Sequence, residues 1–288
     1  MIRSSAMKFL AEARPDWPES WRLSHHYDRL ELGPPDRAHL GYQYAYWARR
    51  DATLALVERA ASPPARVLDV AAAQGNFTLA LAERGYRVTW NDLRADLAEY
   101  ARMKYERGEV EFVAGNILDL VPSDPWDVVV ACEVIEHVAH PDRFIEQLAA
   151  LVEPGGHIVV TTPNGSYFRN RLPRFDVYSD QSVFEAMQFK PDADGHIFLL
   201  HQDELRAMAV KSGLELVDVK VLTNPLTNGS LGLGSLLPFV PRVVVSAIER
   251  ATRALPAIVT SRIMATTVAL LRRPHGGAVR EHQGCTGT

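Results

Sequence analysis

The sequence predicts an α/β fold in which a mostly parallel sheet is covered on both faces by helices. Short apolar runs bounded by turns alternate with segments of helical periodicity between residues 66 and 162. Such alternation is typical of parallel sheets, whose strands are buried on both faces. The chain has 288 residues, of which 47% are hydrophobic and 23% charged. This length and composition suit one globular domain with a large core.

The predicted elements follow one another in a regular order. The first 35 residues read as irregular, and a helix over 41–60 ends before two prolines. Apolar runs then predict strands at 66–70, 87–91, 110–114, 127–131 and 157–162. Helices are predicted between them at 77–83, 95–106 and 142–152. A sixth strand at 214–221 and a seventh at 264–271 complete the pattern.

Two segments are too long for ordinary connections, and such loops are often functional. They span about 164–194, which is rich in aromatic residues and arginines, and about 223–262. The chain therefore divides into an N-terminal cap with a helix (1–62), a main domain (63–273) and a Gly-rich tail (274–288) expected to be flexible.

The turn after the first strand carries the strongest functional signal. Asp69 lies in that strand, and the small residues after it let backbone N–H groups and a helix N-terminus approach a ligand closely. The second strand ends at Asp92, where a βαβ nucleotide site has an acid that accepts ribose hydroxyls. The glycine fingerprint of nicotinamide enzymes is absent, because its positions read Ala71, Ala73 and Asn76.

The run Asp69-Val70-Ala71-Ala72-Ala73-Gln74-Gly75 resembles the D-x-G-x-G-x-G loop of class I S-adenosylmethionine (SAM) dependent methyltransferases. Later stretches resemble the same family in its order and spacing. They are the third strand with its turn (110–116), the E-x-x-E-H-V turn after strand four (126–138), the L-x-P-G-G turn to T-P-N (151–164), and the G-H stretch with its helix (195–214). The closest likeness is to ubiquinone-biosynthesis-like O-methyltransferases and their sugar- and lipid-modifying relatives.

This resemblance implies a Rossmann-like class I methyltransferase fold with a seven-stranded, mostly parallel sheet. It implies that the last two strands pair antiparallel, that residues 63–273 bind SAM, and that the helix in the cap covers the cofactor. The segments at 164–194 and 223–262 become substrate insertions, and the second is expected over the substrate mouth.

The same resemblance assigns the cofactor-binding residues. Asp92 would accept the two ribose hydroxyls, although it also suits a helix N-cap. Asn116 would face the adenine amine beside Ile117, which fits the core equally well. The full set is Tyr42, Tyr46, Asp69, Ala71, Ala73, Gly75, Asp92, Leu93, Asn116, Ile117, Cys132 and Glu133. Alanines at family glycine positions resist positive φ, so either the loop adopts other dihedrals or SAM binding is weakened.

His137 is the foremost catalytic candidate. It follows strand four, at the carboxyl edge of the sheet where ligands bind. Its ordinary pKa suits a general base that takes the proton of a hydroxyl or amine acceptor. The alternative is a structural histidine of the E-x-x-E-H turn. Glu133 is the second candidate, with SAM binding as its other role.

His196, Asn164, Tyr167 and Arg169 are the expected acceptor contacts. The aromatic insertions would form a stacking pocket, and arginines of 169–174 would hold an acidic or phosphorylated group. Arg49 and Arg50 are expected to be solvated. No His, Asp or Glu spacing predicts a metal site.

These residues predict methyl transfer to an oxygen of a small polar acceptor, such as a saccharide, a glycosylated intermediate or a phenol or quinone precursor. N-methylation of an amino sugar or small amine is an alternative, and so is a non-catalytic SAM-binding regulatory protein. A nicotinamide oxidoreductase is disfavoured by the missing glycine fingerprint.

Composition also bounds the partners and the compartment. The net charge of −4 gives no case for nucleic acid, and Cys132 and Cys285 suggest no disulfide, so cytoplasm is expected. The apolar stretch 231–248 is broken by prolines and should not span a membrane. From Val244, apolar positions at helical spacing are expected to pack on the domain, while peripheral membrane contact through 231–255 stays open. The sequence does not set the oligomeric state.

Overall fold

The computed structural model describes residues 8–119, 124–188, 195–229, 231 and 233–275. Its centre is a seven-stranded sheet of order β3-β2-β1-β4-β5-β7-β6. The strands are β1 (Arg66–Val70), β2 (Arg87–Asp92), β3 (Glu109–Ala114), β4 (Trp126–Cys132), β5 (Val152–Pro163), β6 (Glu215–Leu222) and β7 (Thr266–Arg272). The first five strands pair in parallel, and β7 lies antiparallel to β5 and β6. The predicted sheet class and the antiparallel pairing of the last two strands are confirmed.

Helices cover both faces of this sheet. They are α1 (Glu19–Glu31), α2 (Leu40–Ala60), α3 (Asn76–Ala82), α4 (Asp96–Lys104), α5 (Pro141–Leu151), α6 (Gln202–Lys211), α7 (Arg242–Arg253) and α8 (Ala257–Ile263). On one face, Ile145 of α5 and Met208 of α6 join the core, whereas Leu56 of α2 and Leu79 of α3 join it on the other. The parallel arrangement brings the carboxyl ends of β1, β2 and β4 to one edge, where the predicted site residues lie.

The cap differs from the prediction, because residues 19–31 form α1 rather than an irregular segment. Its periodicity is hidden in the sequence, since the residues on its buried side are polar and charged. An aromatic side chain anchors this segment on the rest of the domain. Trp17 is buried, and its ring centroid lies 5.8 Å from that of Tyr100 on α4.

The insertion after β6 also differs from the prediction. Val244 and Leu255, expected to pack on the domain, are 42% and 44% exposed, and Val245 is the buried residue of α7. The charged residue Glu249 turns inwards, where it accepts the backbone N–H of Asn224 at 3.0 Å and a hydrogen bond from the Thr227 hydroxyl. A buried turn that needs a carboxylate has therefore set the rotation of the helix.

Some predicted features lie outside the described residues, namely Phe189, Cys285 and the tail beyond residue 275. Within the described ranges, no helix has the combined length and apolarity that a membrane crossing requires. The two long insertions meet in the structure, because the backbone N–H of Phe168 donates to the carbonyl of Arg262 at 2.8 Å.

Candidate active site

The loop after β1 adopts left-handed backbone at three alternate positions. Ala71 and Ala73 have φ angles of 53° and 46°, and Gly75 has a φ of 76°. Left-handed backbone costs an L-residue about 1–2 kcal/mol relative to right-handed helix. The loop therefore keeps the conformation that glycine favours and accepts the strain of two alanines. At Gly75 an added Cβ would also lie 3.1 Å from the Cβ of Ala101.

Strand β2 holds this loop in place through hydrogen bonds. The backbone N–H of Ala72 donates to the carbonyl of Asn91 at 2.8 Å, and that of Ala73 donates to Asp92 Oδ2 at 2.9 Å. The indole N–H of Trp90 donates to the carbonyl of Ala73 at 3.1 Å. Strained backbone persists where surrounding contacts determine it, and these three bonds do so here.

Asp92 lies at the end of β2, as predicted, but its carboxylate is already occupied. Besides Ala73, it accepts from the backbone N–H of Arg94 at 2.9 Å and from the Arg94 guanidinium at 3.0 and 3.1 Å. The Asp92 residue is only 3% exposed as a result. Ribose hydroxyls can reach this carboxylate only if the Arg94 side chain, which is half exposed, moves away.

The residues expected around adenine divide into exposed and buried ones. Leu93 is 53% exposed beside Asp92, and Asn116 is exposed at the end of β3. Ile117 is buried in the main core cluster, which agrees with its alternative role as a core residue. An exposed apolar side chain next to a polar amide is suited to a purine, which presents an apolar face and an amine edge.

Asp69 is held inside the fold beneath the loop. Its Oδ2 accepts the hydroxyl of Thr78 on α3 at 2.5 Å. Burial raises the pKa of Asp69 to about 7, and the hydrogen bonds from Thr78 oppose that rise, while the charge of Asp92 adds to it. The carboxyl thus joins β1 to α3 at the turn.

A buried polar cluster, the cap network, fixes α1 against the start of α3. Asp28 accepts from Lys104 Nζ at 2.8 and 3.0 Å and from the Tyr100 hydroxyl at 2.8 Å. The Asn76 amide, directly after the loop, donates to Asp28 at 2.9 Å and to Glu31 at 2.8 Å. Both charged partners of the Lys104–Asp28 pair are almost fully buried. Burial is also the main cause that lowers the pKa of Lys104.

The helix α2 brings side chains from the cap to the loop. Tyr42 donates its hydroxyl to Glu31 at 3.1 Å, and burial, the main cause, raises its pKa. The Tyr46 hydroxyl and Arg49 Nε are buried and have no hydrogen-bond partner in the described part of the chain. Arg49, expected to be solvated, instead forms an ion pair with Glu133 at 2.9 Å. The signal that sequence reasoning missed is its position three residues after Tyr46, on the same helix.

Glu133 occupies a strained position at the end of β4. Its φ is 56°, its backbone N–H donates to the carbonyl of Thr161 at 2.9 Å, and its Oε1 accepts the Thr161 hydroxyl at 2.8 Å. With Arg49 on its other oxygen, this carboxylate is held by two partners. Neighbouring Cys132 is half-buried, and desolvation raises the pKa of its thiol.

The turn after β4 brings two histidines together. The rings of His137 and His196 lie with centroids 4.9 Å apart, because the backbone N–H of Ile197 donates to the carbonyl of Glu136 at 2.7 Å. Glu136 is fully buried, and Thr162 donates to its Oε2 at 3.1 Å. Its Oε1 is without a hydrogen-bond partner among the described residues. Burial, then the charge of Glu133, raises the pKa of Glu136.

This cluster is a candidate metal-ligating group that the spacing along the sequence did not indicate. One possible ligand atom from each of Glu136, His137 and His196 lies within 4.8 Å of the others. Sequence spacing could not show this group, since His196 comes from a distant segment that only the backbone bond to Glu136 brings close. The contact between the E-x-x-E-H turn and the G-H stretch is a product of the fold.

The expected acceptor residues do not all face open space. Asn164 is fully buried, and its amide donates to the carbonyls of Ser261 and Met264 at 2.7 and 2.8 Å. Its role is to join the two insertions, so we no longer assign its side chain to the acceptor. Tyr167 is half-buried and Arg169 is exposed, so burial does not rule out either as an acceptor contact.

The first insertion also packs more tightly than predicted. Arg174 forms ion pairs with Asp176 and Asp203, both at 2.8 Å, so its charge is already compensated. The rings of Phe175 and Phe184 lie 5.4 and 5.0 Å from that of Phe198 in the core. These aromatics therefore extend the core and do not line an open stacking pocket.

Comparison with known proteins agrees with this geometry. A sequence family described as a methyltransferase domain matches residues 42–219, which is more than half of the chain. The protein belongs to this methyltransferase domain family. The ubiquinone biosynthesis O-methyltransferase of Pseudomonas aeruginosa (strain UCBPP-PA14) is 32% identical over 178 residues, covering 59% of this chain and 73% of that protein. The same-named protein of Coxiella burnetii (strain Dugway 5J108-111) is 27% identical over 166 residues, covering 56% and 69%.

Solved structures share the fold. A S-adenosylmethionine dependent methyltransferase from Mesorhizobium loti superposes with a TM-score of 0.53 at 16% identity, covering 77% of this chain and 96% of that one. The cyclase SpnF gives a TM-score of 0.50 at 18% identity over 79% and 81%. At these identities the likeness shows the fold alone, and the second neighbour carries a name for different chemistry. With the family match, the chain is a class I SAM-dependent methyltransferase.

The residues present fit SAM as the cofactor. The small side chains of the left-handed loop allow a ligand to approach its backbone closely, and Asp92 with exposed Leu93 follows at the next strand end. Buried Arg49 Nε is a donor with no hydrogen-bond partner in the described structure, which suits a carboxylate such as that of the methionine part.

Proposed function

We propose that this enzyme transfers the methyl group of SAM to an oxygen of a small polar acceptor, with His137 as the general base. A saccharide, a glycosylated intermediate and a phenol or quinone precursor are the acceptor classes. The observation that carries the proposal is the pairing of His137 with His196 at the carboxyl edge of β4. The names of the relatives, which are O-methyltransferases, also support it.

The residues of this chain have separate tasks in the proposed reaction. Bound SAM supplies an electrophilic methyl group on a sulfonium, which needs no acid for its leaving thioether. His137 takes the hydroxyl proton as the oxygen attacks, and His196 lies close enough to orient it. Arg49 holds Glu133, and α2 carries this contact to the end of β4, so α2 aligns the reactants and excludes water.

The insertions at 164–194 and 223–262 are proposed to select the acceptor. They are joined at Phe168 and Arg262, beside the end of β5. Because they are joined to each other and lie outside the loop after β1, changes in them should alter the choice of acceptor more than SAM affinity. Tyr167, Arg169 and His196 are the acceptor contacts that we retain, and we place the enzyme in the cytoplasm, with no nucleic acid as a partner.

Two other functions stay as alternatives. N-methylation of an amino sugar or small amine would use the same base, since a protonated amine must also lose a proton. A SAM-binding protein without catalysis would keep the loop and Asp92. The experiment is incubation with methyl-labelled SAM and a panel of catechols, hydroxylated quinone precursors, saccharides and amino sugars, followed by mass spectrometry. Labelled O-methyl product supports the proposal, N-methyl product replaces it, and SAM binding without any product favours the regulatory role.

His137→Gln tests the base directly. A positioned histidine contributes about 10²–10⁴-fold, so kcat should fall within that range while calorimetric SAM affinity is kept. In the wild type, kcat should rise with pH through the histidine titration range and the variant should lose this rise. His140→Gln is the control, because His140 lies in the next turn and bonds to Glu185. If His137→Gln keeps most of its kcat, the residue is structural.

Treatment with a metal chelator tells metal binding by this cluster apart from the action of His137 as a base without a metal. If Glu136, His137 and His196 hold a divalent ion, chelator should lower kcat and added Mg²⁺, Mn²⁺ or Zn²⁺ should restore it. If His137 works as a free base, chelator should leave kcat unchanged. Glu136→Gln sharpens the result, since it removes a ligand charge but keeps the hydrogen bond from Thr162.

A further inference from the structure

The insertion after β6 presents several large apolar side chains to solvent. Val244, Ala247 and Ala251 recur at helical spacing on α7, Leu255 follows just after its end, and all four are exposed. Neighbouring side chains are more exposed still. We define the outer patch as Leu236 (56% exposed), Phe239 (76%), Val243 (68%), Val244 (42%), Leu255 (44%), Ile258 (78%) and Val259 (38%).

This patch is unusual for a soluble surface. Single exposed apolar side chains are common, but seven large ones within one insertion, one of them an aromatic ring, indicate a contact with a membrane or another molecule. The inner side of α7 already has its own partners in the domain, through Val245 and the Glu249 carboxylate. The outer patch is therefore not a core face that has turned partly outwards.

Positive charge borders the outer patch. Between residues 233 and 263 the sequence has four arginines and one acid. Arg250 and Arg253 lie on the exposed side of α7, next to its apolar stripe, and Arg262 is exposed on α8. The one acid, Glu249, is turned inwards to the Asn224 turn. An apolar stripe beside arginines, with no acid facing out, complements a negatively charged lipid surface.

We propose that the outer patch docks on the headgroup region of an anionic lipid bilayer. An amphipathic helix with a basic edge lies in the plane of such an interface and buries its apolar face to a shallow depth. Nearby arginines add electrostatic attraction to anionic lipids. The contact is peripheral and is distinct from the SAM site.

The insertion that carries the patch contacts two elements next to the proposed acceptor site. The segment that ends α8 joins the loop after β5, through Phe168 to Arg262 and Asn164 to Ser261. On the other side, the Arg242 guanidinium lies 4.4 Å from the ring centroid of Trp47 on α2. Docking therefore brings the bilayer beside the proposed acceptor mouth.

The experiment is vesicle co-sedimentation of the full chain without SAM or acceptor, so its result is independent of the proposed methyl transfer. Wild type should pellet with vesicles of phosphatidylcholine mixed with phosphatidylglycerol, bind phosphatidylcholine alone more weakly, and lose affinity for the mixture at high salt. Phe239→Ser/Ile258→Ser should lower the partition coefficient by about tenfold or more. Arg250→Gln/Arg253→Gln should lower it by about fivefold for each arginine replaced.

Val210→Ser is the matched control. Val210 is 66% exposed, but it lies on α6, which packs on the opposite face of the sheet. Its partition coefficient should equal that of the wild type. The proposal is overturned if wild type does not pellet with anionic vesicles, or if Val210→Ser loses as much binding as the patch variants. It is also overturned if light scattering shows a dimer that Phe239→Ser/Ile258→Ser converts to a monomer, because the patch then joins two copies of this chain.

Discussion

The helices α1 and α7 both lie outside the central sheet, and both reverse the usual pattern of an amphipathic helix. The helix α1 turns Asp28 and Glu31 inwards, whereas α7 turns Val243 and Val244 outwards. Inward charge is tolerated in α1 because Lys104, Tyr100 and Asn76 satisfy it in the cap network. Outward apolar surface in α7 has no equivalent partner among the described residues.

The two helices differ in whether the chain itself supplies partners for the unusual face. The inward charges of α1 have such partners, and the outward apolar face of α7 has none among the described residues. The cap network closes on itself and ends at Asn76, one residue after the SAM loop. It therefore belongs to the cofactor site as a positioning element. The outer patch would be covered only when the protein docks on the proposed bilayer. Changes in the patch should therefore alter membrane binding and not folding. The predictions below test this contrast, from the largest expected effect to the smallest.

Breaking the cap network should give the largest loss of unfolding free energy. Lys104→Ala leaves Asp28 buried without its cation, which typically costs about 3–5 kcal/mol of unfolding free energy. SAM affinity should fall as well, because α1 no longer holds Asn76. Denaturant unfolding and SAM calorimetry measure the two effects. Lys211→Ala is the control, since its pair with Asp142 is at the surface and should contribute little.

A second pair of variants separates cofactor contact from loop support at Asp92. Asp92→Ala should weaken SAM binding by about 1.5–3 kcal/mol, the scale of a hydrogen bond to a charged group. Arg94→Ala should leave SAM affinity equal or tighter, because it frees the Asp92 carboxylate. Loss of affinity in both variants would mean that the Arg94 pair supports the loop and that ribose does not displace it.

Removing a strained alanine from the loop should have a smaller effect, which is a gain in unfolding free energy. Ala73→Gly removes a left-handed alanine, worth about 1–2 kcal/mol, and adds a glycine entropy cost of about 0.5–1 kcal/mol. Unfolding free energy should rise by up to about 1 kcal/mol, with SAM binding equal or tighter. Ala72→Gly, at a position without positive φ, should only destabilise. A clear loss of SAM affinity in Ala73→Gly would reveal a contact made by the alanine methyl.

The outer patch should give the smallest effect on stability. Ile258→Ala changes a residue that is 78% exposed, so unfolding free energy should stay within about 0.5 kcal/mol of wild type. The same change at fully buried Ile145 should cost about 2–5 kcal/mol. A cost at Ile258 close to that at Ile145 would show that the patch is packed within the protein, and the contrast with the cap network would fail.

The sequence by itself determined the parallel sheet, the SAM loop and Asp92 at the end of β2. These depend on local signals, since apolar runs, small-residue turns and strand-end acids each lie within a few neighbouring residues. It also predicted that the loop would have to resolve the conflict between alanine and positive φ. How the loop resolves it depends on β2, which holds Ala73 through Trp90 and Asp92.

Only the tertiary structure decided which faces of α1 and α7 are buried. Helical periodicity finds a buried face by its apolar residues, but Lys104 made a charged face of α1 the inner one, and the Asn224 turn drew Glu249 of α7 inwards. The same holds for His137 and His196. Their rings meet because the backbone N–H of Ile197 donates to the carbonyl of Glu136 and so joins two segments that are distant in the sequence. Contacts between distant residues satisfy buried polar groups, and no local pattern records them.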